Sequence, residues 1–153
     1  MTTASRDGID LNVPNGWDAR IYRRPPAPSE TTNSVLHAGN FALPETRGDF
    51  GSGAVERMGP SDVLVVLFEY DPAAARTPLF ARSGQPQPVA SDFAPNQLQR
   101  FIPGQSGAQF FYNEAGRALC LYVVLGSHSQ RAALVNDVRR LLSGLQVQPR
   151  VSR

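Results

Sequence analysis

Residues 62–70 read Asp-Val-Leu-Val-Val-Leu-Phe-Glu-Tyr, and the six side chains from Val63 to Phe68 are all apolar. A strand with one face in solvent alternates apolar and polar residues, so this continuous run predicts a strand that is covered on both faces. Residues 118–125 repeat the pattern as Ala-Leu-Cys-Leu-Tyr-Val-Val-Leu. Together the two runs predict the centre of a sheet that lies between two other layers.

The chain around these runs predicts the rest of the sheet. Residues 107–112 and 117–125 are typical of strands, and the linker Asn113-Glu-Ala-Gly116 between them favours a β-hairpin. Further strands are predicted at residues 8–13, 19–24 and 34–43, with a short edge strand at 146–148.

Residues 127–145 predict a helix with one apolar stripe. The stripe consists of side chains at three- and four-residue steps, namely Ala133, Leu134, Val138, Leu141, Leu142 and Leu145. A second, short helix is expected at residues 52–58, with Ser52 as its N-cap. Residues 71–106 are rich in Pro and Gln and predict a mostly irregular connection.

These elements predict a single α+β domain over residues 1–153. Its mostly antiparallel sheet is expected to pack against the C-terminal helix on one side and the short helix or the long connection on the other. Residues 1–7 and 149–153 are expected to be flexible. Trp17 follows a turn between two strands with apolar faces, so we expect it to be largely buried.

The composition limits the class of protein. The chain has 153 residues, 18% charged residues, a net charge of +2 and a single cysteine, Cys120. One cysteine excludes an intramolecular disulfide and a multi-cysteine metal site. All fifteen basic residues are arginines, but a net charge this small does not favour a nucleic-acid partner. The chain contains no run of about 18 apolar residues, so it predicts no transmembrane segment. We therefore expect a soluble, cytoplasmic protein. The alternative is an exported or surface domain whose signal has been removed.

Several short motifs carry a family resemblance. They are Val13-Pro-Asn-Gly-Trp17, the late hairpin around Gly116-Arg-Ala-Leu119, and the end of the final helix at Gly144-Leu-Gln-Val147. With the central apolar strand, they resemble the PsbP/Mog-type fold of photosystem extrinsic proteins and a Ran-binding protein. Phe50–Glu56 and Cys120–Gly126 are also similar to stretches of small actinobacterial proteins of unknown role. The resemblance implies a non-catalytic binding or assembly role and carries over no site residues.

A glycine-rich loop is one candidate for ligand binding. Gly51, Ser52 and Gly53 open the short predicted helix, and Arg57 follows nearby. Successive backbone N–H groups in such a loop can bind an anion. The alternative is a flexible turn that caps the helix, since the loop matches neither a P-loop nor a dinucleotide fingerprint.

A second loop, Gly104-Gln-Ser-Gly107, has a weak similarity to a nucleophile elbow. The elbow requires Gly-x-Ser-x-Gly between a strand and a helix, whereas this loop is shorter and leads into a strand, which favours a tight turn. A small hydrolase, or an anion- or ligand-binding protein, would use this loop together with Gly48–Gly53.

The titratable residues predict neither a metal site nor a cofactor site. His37 lies in a strand among apolar neighbours, which favours a hydrogen-bonded structural histidine over a metal ligand. His128 is expected in the first turn of the final helix, neutral and exposed. Cys120 lies in an apolar strand, so its pKa should be raised and its thiol inert. No catalytic residue is predicted.

A basic and aromatic patch is formed by Arg20, Tyr22 and Arg24. Arginine and tyrosine together can stack on a partner or bind a phosphate group. The alternative is a solvated edge strand whose charges block aggregation.

These observations predict a non-catalytic interaction or accessory domain, and whether the chain is an enzyme is left open. The expected partner is another protein, with residues 25–34 and 71–107 as candidate surfaces, and a homo-oligomer is left open.

Overall fold

A computed structural model describes residues 2–23 and 33–150, which form eight strands and one α-helix. In chain order these elements are β1 (Thr2–Arg6), β2 (Ile9–Val13), β3 (Asp18–Arg23), β4 (Ser34–Gly39), β5 (Val63–Glu69), β6 (Ser106–Glu114), β7 (Arg117–Leu125), α1 (Arg131–Leu142) and β8 (Leu145–Val147).

The strands form two antiparallel sheets. The smaller sheet has the order β1-β2-β8, and the larger has the order β3-β4-β5-β7-β6. In the larger sheet β5 and β7 are adjacent, pairing Leu64 with Val124 and Phe68 with Cys120. Every residue of both strands is buried, as their apolar runs predicted. The prediction of an α+β chain with mostly antiparallel sheet is therefore confirmed.

One face of the five-stranded sheet, the helix face, packs against α1 and the smaller sheet. The sheet contributes alternate side chains such as Val65 and Leu121. The helix contributes Leu134, Val135, Val138, Leu141 and Leu142, each at most 5% exposed, and Leu145 follows at the start of β8. All of these except Val135, which the predicted stripe did not include, are confirmed members of the stripe, whereas Ala133 is exposed. No helix among the described residues combines the length and apolar character needed to cross a bilayer.

The opposite face, the loop face, packs against irregular chain. Its buried residues are mostly aliphatic, and a group of aromatic rings packs among and beside them. Phe50 stacks on Phe68 with ring centroids 5.0 Å apart, and Tyr70 contacts both Phe68 and Phe80. The predicted helix over residues 52–58 is wrong, because only a single 3₁₀ turn, Val55–Arg57, forms there. Its cause lies just before the turn, where Gly53 adopts a φ of 94° that a helix cannot include.

Three boundaries also differ from prediction. Residues 2–6, expected to be flexible, pair with β2 as strand β1. The predicted strand over 34–43 ends at Gly39, where the chain folds so tightly that an added Cβ would lie 3.0 Å from the Phe41 ring. The helix starts at Arg131 rather than residue 127, and the preceding segment is tied to another loop, since the backbone N–H of His128 donates to the carbonyl of Gly104 at 2.7 Å.

Trp17 is half-buried against the core of the helix face and not largely buried as expected. It precedes β3, which is one of the two edge strands of the larger sheet. Only one side of a residue at that position is covered by neighbouring elements.

The long connection closes the other edge of the sheet. It contains short 3₁₀ turns between residues 72 and 97, in place of regular structure. Ala94 and Gly107 exchange two backbone hydrogen bonds of 3.0 and 3.1 Å, which pairs the connection with β6. Part of the candidate surface at residues 71–107 is therefore used internally to cover this edge.

Candidate functional site

The β3 cleft is formed by side chains from two separate segments. Arg20 and Tyr22 alternate with the residues of β3 that pack on the helix face, so both reach the loop face. There they line a cleft of about 390 Å³ together with Glu45 and Arg47. The structure thus places two members of the predicted patch together. Arg24, the third member, lies outside the described residues. Residues 25–32, most of the candidate surface at 25–34, also lie outside them.

His37 lies behind this cleft on β4, opposite Arg20, and is fully buried. Arg47 Nε lies 2.6 Å from His37 Nδ1, and a guanidinium can only donate, so Nδ1 is the acceptor. The ring proton is then on Nε2, which donates to the carbonyl oxygen of Asp49 at 2.7 Å. The predicted hydrogen-bonded structural histidine is confirmed. Burial, with the charge of Arg47 adding to it, lowers the pKa of His37 to about 4, so the ring is neutral at pH 7.

Tyr22 connects the cleft to this buried histidine. Its hydroxyl donates to Asp49 Oδ1 at 2.6 Å, and its ring meets His37 edge-on at a centroid distance of 5.3 Å. Arg47 also donates through Nη1 to the carbonyl oxygen of Pro44 at 2.6 Å. Tyr22 and Arg47 are therefore held in place by interactions beneath the cleft surface. This reduces the side-chain conformational entropy that they lose when a partner binds.

The charges at the β3 cleft are mixed. Arg20 is about half exposed (49%) and lies 3.6 Å from a carboxylate oxygen of Asp18. Burial is the main cause that lowers the pKa of Arg47, and the positive charge of Arg20 lowers it further. Glu45 is exposed on the rim. The cleft presents positively and negatively charged side chains beside an aromatic ring, a pattern suited to binding a protein surface.

The predicted anion loop folds onto itself. Gly51 N–H donates to the carbonyl of Gly48, and Gly53 N–H donates to both carboxylate oxygens of Glu56, at 3.2 and 2.9 Å. Ser52 and Arg57 are both exposed. An external anion at Gly51, Ser52, Gly53 and Arg57 would have to compete with a carboxylate that already occupies the Gly53 amide. This site stays a prediction.

The second glycine loop does approach the first. Gln105 Nε2 donates to the carbonyl oxygen of Val55 at 2.8 Å, which ties the 104–107 loop to the 3₁₀ turn after the glycine-rich loop. Its other amide atom, Oε1, is buried with no hydrogen-bond partner among the described residues. The Gly104–Gly107 loop of the hydrolase alternative thus contacts the turn that follows the Gly48–Gly53 loop.

Ser106 and His128 form a pair that sequence reasoning missed. Ser106 Oγ lies 2.9 Å from His128 Nδ1, and Arg131 Nη1 lies 3.2 Å from His128 Nε2. His128 is half-buried and precedes α1, so its expected placement as an exposed residue in the first turn is wrong. Because Arg131 can only donate, Nε2 is the acceptor, and neutral His128 donates from Nδ1 to Ser106. This tautomer orients Ser106 but cannot remove its proton.

Neither the Cys120 thiol nor the residue types that bind metals form a reactive centre within the described residues. Burial raises the pKa of the Cys120 thiol to about 11, in the direction that the apolar strand predicted. Within residues 2–23 and 33–150, no three His, Cys, Asp or Glu side chains gather closely enough to hold a metal ion.

A buried ion pair on the helix face was also missed. Arg117 Nε and Nη2 lie 2.8 and 2.9 Å from the two carboxylate oxygens of Glu69, and both side chains are 2% exposed. Glu69 lies opposite Leu119 in the register, so Arg117 is its diagonal neighbour across β5 and β7. The signal in the sequence was a charged residue directly bordering each apolar run, Glu69 after the first and Arg117 before the second.

Comparisons with protein-family models, with curated proteins and with solved structures found no match.

Proposed function

We propose that this protein is a non-catalytic interaction domain that binds a protein partner at the β3 cleft. The observation that carries the proposal is the convergence of Arg20, Tyr22, Glu45 and Arg47 on one cleft at the edge strand β3 of the larger sheet. Arginine and tyrosine are enriched among the residues that contribute most to protein interfaces. The PsbP/Mog-type resemblance stays a proposal about the fold, and it implies the same kind of role.

The anchoring of the cleft supports this proposal. Tyr22 is hydrogen-bonded to Asp49, and Arg47 to His37, so the two side chains are preorganised before a partner arrives. Preorganised aromatic and arginine side chains lose less conformational entropy on association. His37, which supports both, is buried and neutral, and so acts as a positioning residue behind the cleft.

Site-specific photocrosslinking in the native cells tests the proposal. A photoreactive amino acid at position 20 should crosslink one discrete protein partner, whereas the same group at position 139, on the exposed side of α1, should not. The matched variants Tyr22→Ala and Arg139→Ala should then separate: the first abolishes the crosslink from position 20, and the second leaves it unchanged. Equal crosslinking from positions 20 and 139, or a yield that Tyr22→Ala does not alter, would contradict the proposal. A crosslinked homodimer would identify a second copy of this chain as the partner.

A small hydrolase is the second candidate function. It is favoured by the hydrogen bond from Gln105 to the turn after the first glycine loop and by the 2.9 Å approach of Ser106 to His128. Against it stand the full burial of Ser106 and the tautomer that Arg131 imposes on His128. A panel of ester, amide and phosphoester substrates decides between the candidates. Turnover that Ser106→Ala and His128→Gln both abolish would establish the hydrolase and overturn the non-catalytic proposal.

A further inference from the structure

A second cleft, which we call the loop cleft, lies on the loop face of the larger sheet. Its volume is about 310 Å³, at the lower end of the range of small-molecule sites. Residues of the first glycine-rich loop, such as Ser52, line it together with Gln99 of the long connection and Tyr122 of β7. All of its lining residues lie within residues 33–150, which the structure describes.

Part of the lining of the loop cleft is apolar and aromatic. The rings of Phe50 and Tyr122 meet edge-on with centroids 5.8 Å apart, and Phe50 is supported from beneath by its stack on Phe68. Val55 and Tyr122 are 4% and 1% exposed, so neither is free to move out of the cleft. Aromatic rings contact one another favourably in edge-on and offset arrangements, so this lining is suited to an aromatic ring.

The Tyr122 hydroxyl adds a hydrogen-bond donor to this lining. The backbone N–H of Gln99 donates to the Tyr122 oxygen at 2.7 Å, so the oxygen is already an acceptor. The hydrogen of the hydroxyl has no acceptor among the described residues. Because buried tyrosine hydroxyls usually have a partner, Tyr122 is suited to donate to an acceptor atom of a ligand in the cleft.

The charged groups of the loop cleft do not select an ionic ligand. Asp49 and Arg100 bring one charge of each sign to the lining. Asp49 Oδ1 accepts from the Tyr22 hydroxyl, and Arg100 Nε lies 3.7 Å from a carboxylate oxygen of Glu56. A charged ligand would meet a like charge as well as an opposite one, whereas an uncharged ligand avoids the cost of burying a charge.

We propose that the loop cleft binds a small uncharged aromatic compound whose oxygen accepts a hydrogen bond from the Tyr122 hydroxyl. An aromatic amide has both the ring and the acceptor. The site shares only Ser52 with the predicted anion site and has no lining residue in common with the β3 cleft. The proposal does not depend on the interaction function proposed above.

Titration of the isotope-labelled full chain with benzamide, followed by amide NMR, tests this site. We expect saturable shifts of the Ser52 and Gln99 signals. Toluene, which has the ring but no acceptor, should bind more weakly. Tyr122→Phe removes only the hydroxyl, so it should weaken benzamide binding about three- to tenfold, as expected for one uncharged hydrogen bond, and leave toluene binding unchanged.

Tyr112→Phe is the matched control. Tyr112 is also a buried tyrosine whose hydroxyl has no hydrogen-bond partner among the described residues, but it packs in the core of the helix face. This variant should bind benzamide as the wild type does. The toluene comparison separates a lost hydrogen bond from a loosened loop, because a structural change in Tyr122→Phe would weaken the binding of both compounds.

Each other outcome is decisive. Absent saturable shifts at Ser52 and Gln99 would overturn the proposal. Equal weakening of benzamide and toluene by Tyr122→Phe, or an equal effect of Tyr112→Phe on benzamide, would show that the Tyr122 hydroxyl makes no contact with the ligand, and would also overturn it. Benzoate that binds more tightly than benzamide would overturn the assignment to an uncharged compound.

Discussion

The two faces of the larger sheet accommodate buried polar groups in opposite ways. On the helix face, Glu69 and Arg117 are buried as an ion pair, with bonds of 2.8 and 2.9 Å on both oxygens. On the loop face, His37 is buried as a neutral ring between Arg47 and the carbonyl of Asp49. Both arrangements satisfy the buried group, but only the first keeps the charge inside.

The difference follows from what each face can offer as a partner. A carboxylate and a guanidinium each have several bonding positions, and a bidentate fork satisfies most of them at once. Burial removes water from a histidine, and the charged form loses more solvation than the neutral form. A buried histidine without an acidic partner is therefore neutral. We infer that the stability of the helix face depends on both members of the ion pair being present, whereas the stability of the loop face depends on pH.

The largest effect should come from breaking the ion pair. Glu69→Ala leaves Arg117 buried without its counter-charge, so the free energy of unfolding should fall by about 3–5 kcal/mol. Urea unfolding measures this. The double variant Glu69→Leu with Arg117→Met is the control, since it removes both charges and should be less destabilised than the single variant. If the double variant were equally or more destabilised, the loss of side-chain packing, and not the unpaired charge of Arg117, would be the cause of the lower unfolding free energy.

The apolar part of the helix face should be nearly as sensitive. Leu141 is 1% exposed, and Leu141→Ala should lower the free energy of unfolding by about 2–5 kcal/mol, through lost burial and an unfilled cavity. Thermal or urea unfolding of the isolated chain is the measurement. If the melting temperature barely changed, the stripe would not be core, and α1 would instead be a docking surface.

The loop face should respond to acid. The folded-state pKa of His37, about 4, lies below its unfolded value of about 6.5. The unfolded chain therefore binds the proton first, so stability is complete above pH 6.5 and is lost as the pH falls towards 4. Roughly 3 kcal/mol is expected from this residue. His37→Gln should flatten the unfolding free energy between pH 7 and 4, and an unchanged pH profile would show that other groups cause the loss.

The smallest effect belongs to the solvated side of α1. Arg139→Ala should change the free energy of unfolding by only about half a kcal/mol, because the side chain is exposed. The same urea series measures it. A loss as large as that of Leu141→Ala would mean that the outer side of the helix has a partner in the folded chain.

How much the sequence predicted is clearest in β5 and α1. The uninterrupted apolar run from Val63 to Phe68 and the stripe at Leu134, Val138 and Leu141 were confirmed as core. Hydrophobic periodicity is a local property, so it identifies the elements and their buried sides without knowledge of the fold. The short helix failed because Gly53 adopts a left-handed conformation, and propensity alone does not reveal that.

The candidate sites divide in the same way. Arg20 and Tyr22 were visible as a patch because they alternate along one strand, but Arg47 joined them only through a loop about 25 residues later. Ser106 lay in the second glycine loop and His128 was placed near the final helix, but their pairing was not predicted, since the two are 22 residues apart.

The sequence by itself determined the central strands and the C-terminal helix and which sides of them are buried, because those properties depend on neighbours a few residues away. Only the tertiary structure decided which polar groups meet: Glu69 finds Arg117 at a separation of 48 residues and Arg150 at 81. Such pairings depend on strand order and register, and these are set by packing of the whole chain. The two clefts, and the charges that line them, are therefore properties of the fold.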